Sequence, residues 1–449
     1  MNSRGRLRAF LALTCAASIA GCANTGGLGD VARAPFSFFQ DDVPQAVQAS
    51  APAPQAALDA NLQDGTQSSL IEGLLNRRSV LGDGPYQQVS NAVLATNTRA
   101  AEADLRAAML RSEAEALNWL PTLGPTVSLT SLGDVMTQLV VDQVLFDNGR
   151  KKAERDYAQA DVEVAAVALA EESNQRVHTA LDLYIDAQEA TAQAAVNDAA
   201  MDQMNRYAYV MEERVKGGVS NRVDMQIVVQ KRNEMQSDMS SDYEAAARAM
   251  AELNTMTATP MDGLIGLSDV GASGPGAQPL PVMKAQAEAH RAAAEAAAAR
   301  AGVLPQLTAG GSVGSSAARG GLNLGGGQGF GLGTGAAREA AAESGAAAQA
   351  RVGQVQEDAN RRLAGMRAEL ASLQRQAVQT QTLADQADAN FRVFAEQQRS
   401  GHRSVPEVVG IFETKVRTAR TATAMKYDVA RMELRIAAMM GSLVNGEQI

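Results

Sequence analysis

The chain has 449 residues, 40 Lys+Arg against 50 Asp+Glu, a formal net charge of −10 and only 4% aromatic side chains. So acidic a protein is a poor candidate for nucleic-acid binding, because phosphates demand a basic surface. An alanine-rich, aromatic-poor composition favours helix but builds thin cores, so stability is expected from long seams and from association.

At the N-terminus, Arg4, Arg6 and Arg8 precede the apolar run Ala9 to Ala20, which is too short for a permanent membrane helix and reads as a secretory signal over 1–21. The signal ends Ile19-Ala20-Gly21-Cys22, which resembles the bacterial lipobox and predicts a covalent lipid on Cys22 after cleavage. Cys15 is lost with the signal, so no disulfide within one mature chain is expected. Loss of three arginines also leaves 37 cations against 50 anions, a charge of −13. Ala23 rather than Asp follows the cysteine, which by resemblance to bacterial sorting rules points to the outer membrane. Beyond it, a Gly/Ala/Pro/Gln/Asp mixture centred on Ala51-Pro52-Ala53-Pro54 reads as an extended tether, taken as 22–84.

A helix is predicted over about Tyr86 to Trp119, ended by Leu120-Pro121 because proline disfavours helix at the preceding residue. Strand character follows over Thr126 to Leu132 and Val135 to Phe146, joined at Gly133-Asp134. From Arg150 to Lys216 there is neither Gly nor Pro, which predicts one helix of roughly 100 Å. A globule of this chain length would have a radius of gyration of only about 22 Å, and Lys151-Lys152, Glu171-Glu172 and Glu212-Glu213 exclude a membrane helix. A coiled coil remains, with the seam Met204, Ala208, Met211 and Val215 near its lower end. Gly217-Gly218 turns the chain into a returning helix, Arg222 to about Met256, and 259–281 reads as a linker.

The second half repeats this plan. Leu120-Pro121 recurs as Leu304-Pro305, Phe146 to Gly149 meets Phe330 to Gly333, and Gly218 with Asp224 meets Gly401 with Glu407, all in register to within one residue. The matching elements are a helix from about Val282 to Ala301, strands Leu307 to Ala317 and Leu322 to Leu332 joined across 318–321, and a long helix from about Ala336 to Arg399. A returning helix from Val405 to about Met440 completes the set, with seam Val405, Val409, Phe412, Val416 and Ala419. The repeats are thus 85–258 and 282–443, with a short tail over 444–449. Each strand has about the length a tilted membrane strand needs. Four are too few to close a barrel, which takes at least about eight. An open half-barrel in lipid would leave backbone groups unpaired, so several chains must share one barrel if these strands enter a membrane.

The lipobox, the duplicated plan, the Leu-Pro step before each strand pair, the Phe-x-x-Gly exit and the Gly-x5-acid tips together resemble the TolC-like outer-membrane efflux protein family, specifically its acylated members, over about Pro85 to Leu443. The resemblance implies a mainly α fold with a small β part. Four strands per chain would complete a twelve-stranded barrel in a homotrimer, continued into the periplasm by a helical tunnel. It implies a passive exit duct in the outer membrane, working with a periplasmic adaptor and an inner-membrane transporter. No cofactor is expected beyond the lipid on Cys22.

The second tip, Gly401-His402-Arg403-Ser404-Val405-Pro406-Glu407, resembles the family's gate segment. Arg403 falls on its gate arginine, Glu407 on its first constriction acid, and Asp224 on the arginine's partner; Gly410 stands where a second acid is common. The resemblance implies adaptor contact at Gly217, Gly218, Val219, Ser220, Gly401, His402, Ser404 and Val405.

No catalytic or metal constellation is visible. His178, His290 and His402 lie on separate elements, the first two read as helix-surface residues, and Gly325 to Gly329 lacks the Lys-Ser/Thr of a phosphate loop. A periplasmic adaptor or a purely structural coiled-coil lipoprotein is the alternative reading. The first would need strand-rich modules beside the hairpin, and the second has no use for duplicated strand pairs.

Overall fold

The computed structural model describes residues 68–96, 100–131, 134–271, 277–314, 318–326 and 333–448. Cys22, the signal, most of the tether and the Phe330 landmark lie outside them. The elements in chain order are α1 (Ser69–Leu75), α2 (Pro85–Leu94), α3 (Ala100–Ala116), β1 (Thr122–Ser131), β2 (Asp134–Phe146), α4 (Arg150–Lys216), α5 (Arg222–Met256), α6 (Leu280–Gly302), β3 (Pro305–Gly314), β4 (Ala318–Gly326), α7 (Thr334–Arg399) and α8 (Val405–Met440).

Most of the helices pack on α4, whose 67 residues run between the limits its glycines set, while α7 packs on α6 and α8. At the start Gly149 takes φ +84°, a left-handed conformation that costs glycine little, while Asp147 accepts the amides of Gly149 and Lys151. The upper half of α4 buries Val167, Leu169, Leu181, Tyr184 and Ile185 in a core shared with α1, α2, α3, α6 and the ends of α5 and α8. Each such side chain contributes about 2 kcal/mol by leaving water. The lower half buries Met204, Ala208 and Met211 of the expected seam against Val228, Val405, Val409 and Phe412 in a second cluster, while Val215 stays half-buried.

Between these clusters the contacts are polar. Arg431 on α8 reaches Asp186 at 2.6 Å and Glu189 at 2.5 Å on α4, and Arg420 pairs with Asp242 on α5. Gln193 donates to the Arg420 carbonyl at 3.0 Å. An ionic belt therefore separates two apolar clusters along one helix, and half-buried, charge-assisted bonds of this kind fix register.

Several expectations need correction. The first helix does not run unbroken from Tyr86 to Trp119. It stops at Leu94, where Thr96 turns its hydroxyl onto the Val93 and Met256 carbonyls; Thr and Asn side chains compete for helical backbone groups and favour such breaks. Residues 69–84 are not tether: Leu70, Ile71, Leu74 and Leu81 are buried in the upper core, and Leu81 bridges Val270 of the linker. Nor is 444–449 a free tail. Val444 is buried, and the Gly446 amide donates to Arg77 O so closely that a Cβ on Gly446 would meet Leu74 O at 2.3 Å.

Arg77 knots these pieces together, donating to Met440 O at 2.6 Å, to Gly441 O and to Gln278 O. It thereby caps the last carbonyls of α8, and burial holds its pKa down to about 10. His178 is also no surface residue: its Nδ1 lies 3.4 Å from Asp182 and its Nε2 is buried.

Candidate functional site

The four strands form one antiparallel sheet in the order β1-β2-β3-β4. Among the described residues the outer edges of β1 and β4 are free. The three described helix–strand junctions lie at one end and are tied together. Asn118 binds Lys151 O at 3.1 Å, Gln143 binds Trp119 O at 2.7 Å, and Asn148 reaches Pro305 O at 2.7 Å. Trp119 stands exposed at this end.

The expected turn across 318–321 is wrong. Ala318 already pairs with Val313, and Gly320 and Gly321 lie in β4 opposite Gly311 and Gly310. The physical reason is register: only this pairing sets Leu322 opposite Ala309 and Leu324 opposite Leu307, whereas a one-residue slip would turn them to the other side.

That register sorts the sheet into two unlike faces, because directly opposite residues share a side. On one face stand Leu123, Val127, Leu139, Val141, Phe146, Val313, Leu322 and Leu324, all exposed, with Thr137 and Gln143 as the polar residues among them. On the other stand Thr122, Thr126, Gln138, Asp142, Thr308, Ser312, Arg319 and Asn323, with Gly124, Gly310 and Gly321 between them, and among its described side chains only Val140 and Val144 are apolar. Water does not reward an exposed apolar face of this extent, and lipid does.

At the other end of the helices are two tips. In the first, Gly218 takes φ +74°, the Val219 and Ser220 amides return to Arg214 O, and Asn221 caps α5 by accepting the Asp224 amide at 2.8 Å. Val219 and Val223 are 68% and 62% exposed. In the second, Gly401 takes φ +82° and Ser404 starts α8 with a capping box in which Glu407 accepts the Ser404 amide at 3.2 Å. His402 contacts Ser400 Oγ at 2.9 Å.

Arg403 is not paired with Asp224 within the chain. Its Nε donates to Gln397 at 3.2 Å and its guanidinium lies 4.9 Å over the Phe394 ring, a cation–π contact that draws it back along α7. Val405, expected on the adaptor-facing surface, is buried in the lower cluster because it is the first residue of the α8 seam. Gly217, Gly218, Val219, Ser220, Gly401, His402 and Ser404 do sit on the two tips, with Asp224 and Glu407 in the first turns that follow.

Among the described residues no group of His, Cys, Asp or Glu can hold a metal ion, and no helix is long and apolar enough to cross a membrane. Sequence reasoning missed the pairing of Asp142 and Arg319 with the polar face and the Arg420/Arg431 belt. The belt had a signal: the apolar α8 seam ends at Ala419, beside Arg420, and its next steps fall on Thr423 and Lys426.

No family model and no curated relative matches the sequence. Solved structures do match. The outer-membrane channel OprN aligns with TM-score 0.70 at 17% identity, covering 84% of this chain and 94% of that one. CusC, described for its transmembrane channel formation, aligns with TM-score 0.69 at 17% identity over 81% and 93%. The outer membrane protein VceC from Vibrio cholerae aligns with TM-score 0.66 at 15% identity over 85% and 96%. The chain therefore has the fold of these outer-membrane proteins, the fold that its tips and strand pairs led us to expect.

Proposed function

We propose that three copies of this chain form a passive exit duct in the bacterial outer membrane, not an enzyme, through which a periplasmic adaptor and an inner-membrane transporter discharge their substrate. The observation that carries this is the two-faced sheet with both edges free. Its apolar face suits lipid and its polar face suits water, yet four strands cannot enclose anything. Three copies supply twelve strands, each β4 pairing with the next chain's β1, and the junction-tied helices continue the wall downward. The fold shared with the outer-membrane channel OprN, with CusC and with the outer membrane protein VceC supports the channel reading.

On this reading the lipid on Cys22 anchors the mature chain, and the tips meet the adaptor through Gly217, Gly218, Val219, Ser220, Gly401, His402 and Ser404. Three Glu407 carboxylates ring the narrow axis, while Arg403 meets Asp224 of a neighbouring protomer and so holds the tips together. Single-channel recording of the full mature protein in a planar bilayer tests the proposal. The wild type conducts weakly, and Arg403→Ser raises conductance; absence of any channel activity in both proteins refutes the duct.

A further inference from the structure

Among the described side chains of the sheet only Asp142 and Arg319 are charged, and register puts both on the polar face. Asp142 pairs with Thr122 on one side and with Gly310 on the other, with Gly321 beyond. Its carboxylate therefore stands over bare backbone: a Cβ on Gly310 would lie 2.9 Å from Asp142 Oδ1. Arg319 pairs with Ser312, two residues nearer the end of the sheet remote from the helices. Two steps along a strand and two strands across place the backbones of the two residues on the order of 12 Å apart. Neither side chain has an ion-pair partner among the described residues. Asp142 lies four residues from Phe146 at the helix end, a rise of roughly 13 Å.

Resting on the duct reading, we infer that Asp142 and Arg319 are the charge-selecting residues of the barrel lumen. In the trimer they make an acidic ring on the helix side and a basic ring toward the outer mouth, acting on charged small solutes. A charged side chain facing lipid is costly at this depth, so both must face the lumen. There, a ring of carboxylates raises the local concentration of cations and a ring of guanidinium groups that of anions. Two unlike rings in series fill with counter-ions under one polarity and empty under the other, so current through the wild-type barrel rectifies.

The test is reversal potential and rectification of the full mature protein in planar bilayers under a potassium chloride gradient. Asp142→Asn is expected to lower the cation-to-anion permeability ratio by at least about twofold, and Arg319→Gln to raise it by a similar factor, each abolishing rectification. Should a substitution impair insertion, Asp142→Cys is inserted and then labelled with a sulfonate-bearing or a trimethylammonium-bearing thiosulfonate, which must shift selectivity in opposite directions. A conducting wild type whose selectivity none of these changes alters overturns the inference and leaves the duct standing. A wild type that never conducts removes both.

Discussion

Two carboxylates on neighbouring helices show how single residues tie stability to pH with opposite signs. Asp388 is held below the ordinary carboxylate range by its hydrogen bond to Lys415 at 2.6 Å. Its folded form binds the proton less tightly than the unfolded chain does, so its contribution is present above the unfolded value and is lost as pH falls through the folded one. Glu433 is pushed upward, first by burial and then by the nearby Asp269. Its folded form holds the proton more tightly, so stability is greatest below the unfolded value and declines as pH rises through the folded one. Thermal melting across pH checks both: Glu433→Gln raises Tm at neutral pH and Asp388→Asn lowers it. The Glu433 difference shrinks toward zero as pH falls below the ordinary Glu value of about 4.3, and the Asp388 difference does so only as pH falls through its own lowered value.

At the scale of elements, the long helices were legible and the sheet was only half so, for one reason. A helix end is written in residues that change backbone freedom, and Gly149, Gly217-Gly218, Gly401 and Gly441 mark the limits of α4 and α8, each but Gly217 in the left-handed region. The second strand pair is written in what glycine lacks. Gly310, Gly311, Gly320 and Gly321 give no side-chain alternation, so the turn was expected four residues late until Leu322 and Leu324 were set against Ala309 and Leu307. The same blindness hid α1, whose Leu70, Ile71 and Leu74 follow a helical period inside a stretch that composition alone assigns to a tether. At the candidate site the tip residues were legible from glycine and acid spacing, but the fate of Arg403 was not, because Phe394 and Gln397 lie a full turn or more back on α7. Face identity makes an element-scale prediction. Leu322→Arg puts a cation on the apolar face at a cost of about 2–4 kcal/mol if the site lies near the bilayer midplane, whereas Asn323→Arg puts it on the polar face. Outer-membrane yield and resistance to urea should fall sharply for the first and little for the second; equal loss in both would mean that the sheet has no lipid side.

For the whole molecule, the helical layer and the sheet leave corresponding edges open. In the sheet β1 and β4 lack outer neighbours among the described residues. In the helical layer α4 and α8 lie between α5 and α7, and α7 buries only Ala359, Leu363, Ala384 and Ala395 of its 66 residues. Apolar side chains remain on both flanks, Ile227 and Tyr243 on α5 and Val378, Leu383 and Val393 on α7. A head-to-tail contact that joins β4 of one chain to β1 of the next brings α7 of the first against α5 of the second, so one rotation closes both layers and covers both flanks. The open edges and the exposed helix flanks are then one interface seen at two levels, and damage to the helical part should undo the barrel as well. Leu383→Asp sits far from any strand and is exposed in the single chain, so it leaves the fold of one subunit intact. In mild detergent the wild type should show the mass of three chains by light scattering. Leu383→Asp should shift it toward one chain while circular dichroism still reports the same helix content. A Leu383→Asp protein that remains fully trimeric would mean that α7 faces the duct and not its neighbour, and the pairing of flanks argued here would have to be rebuilt around another helix.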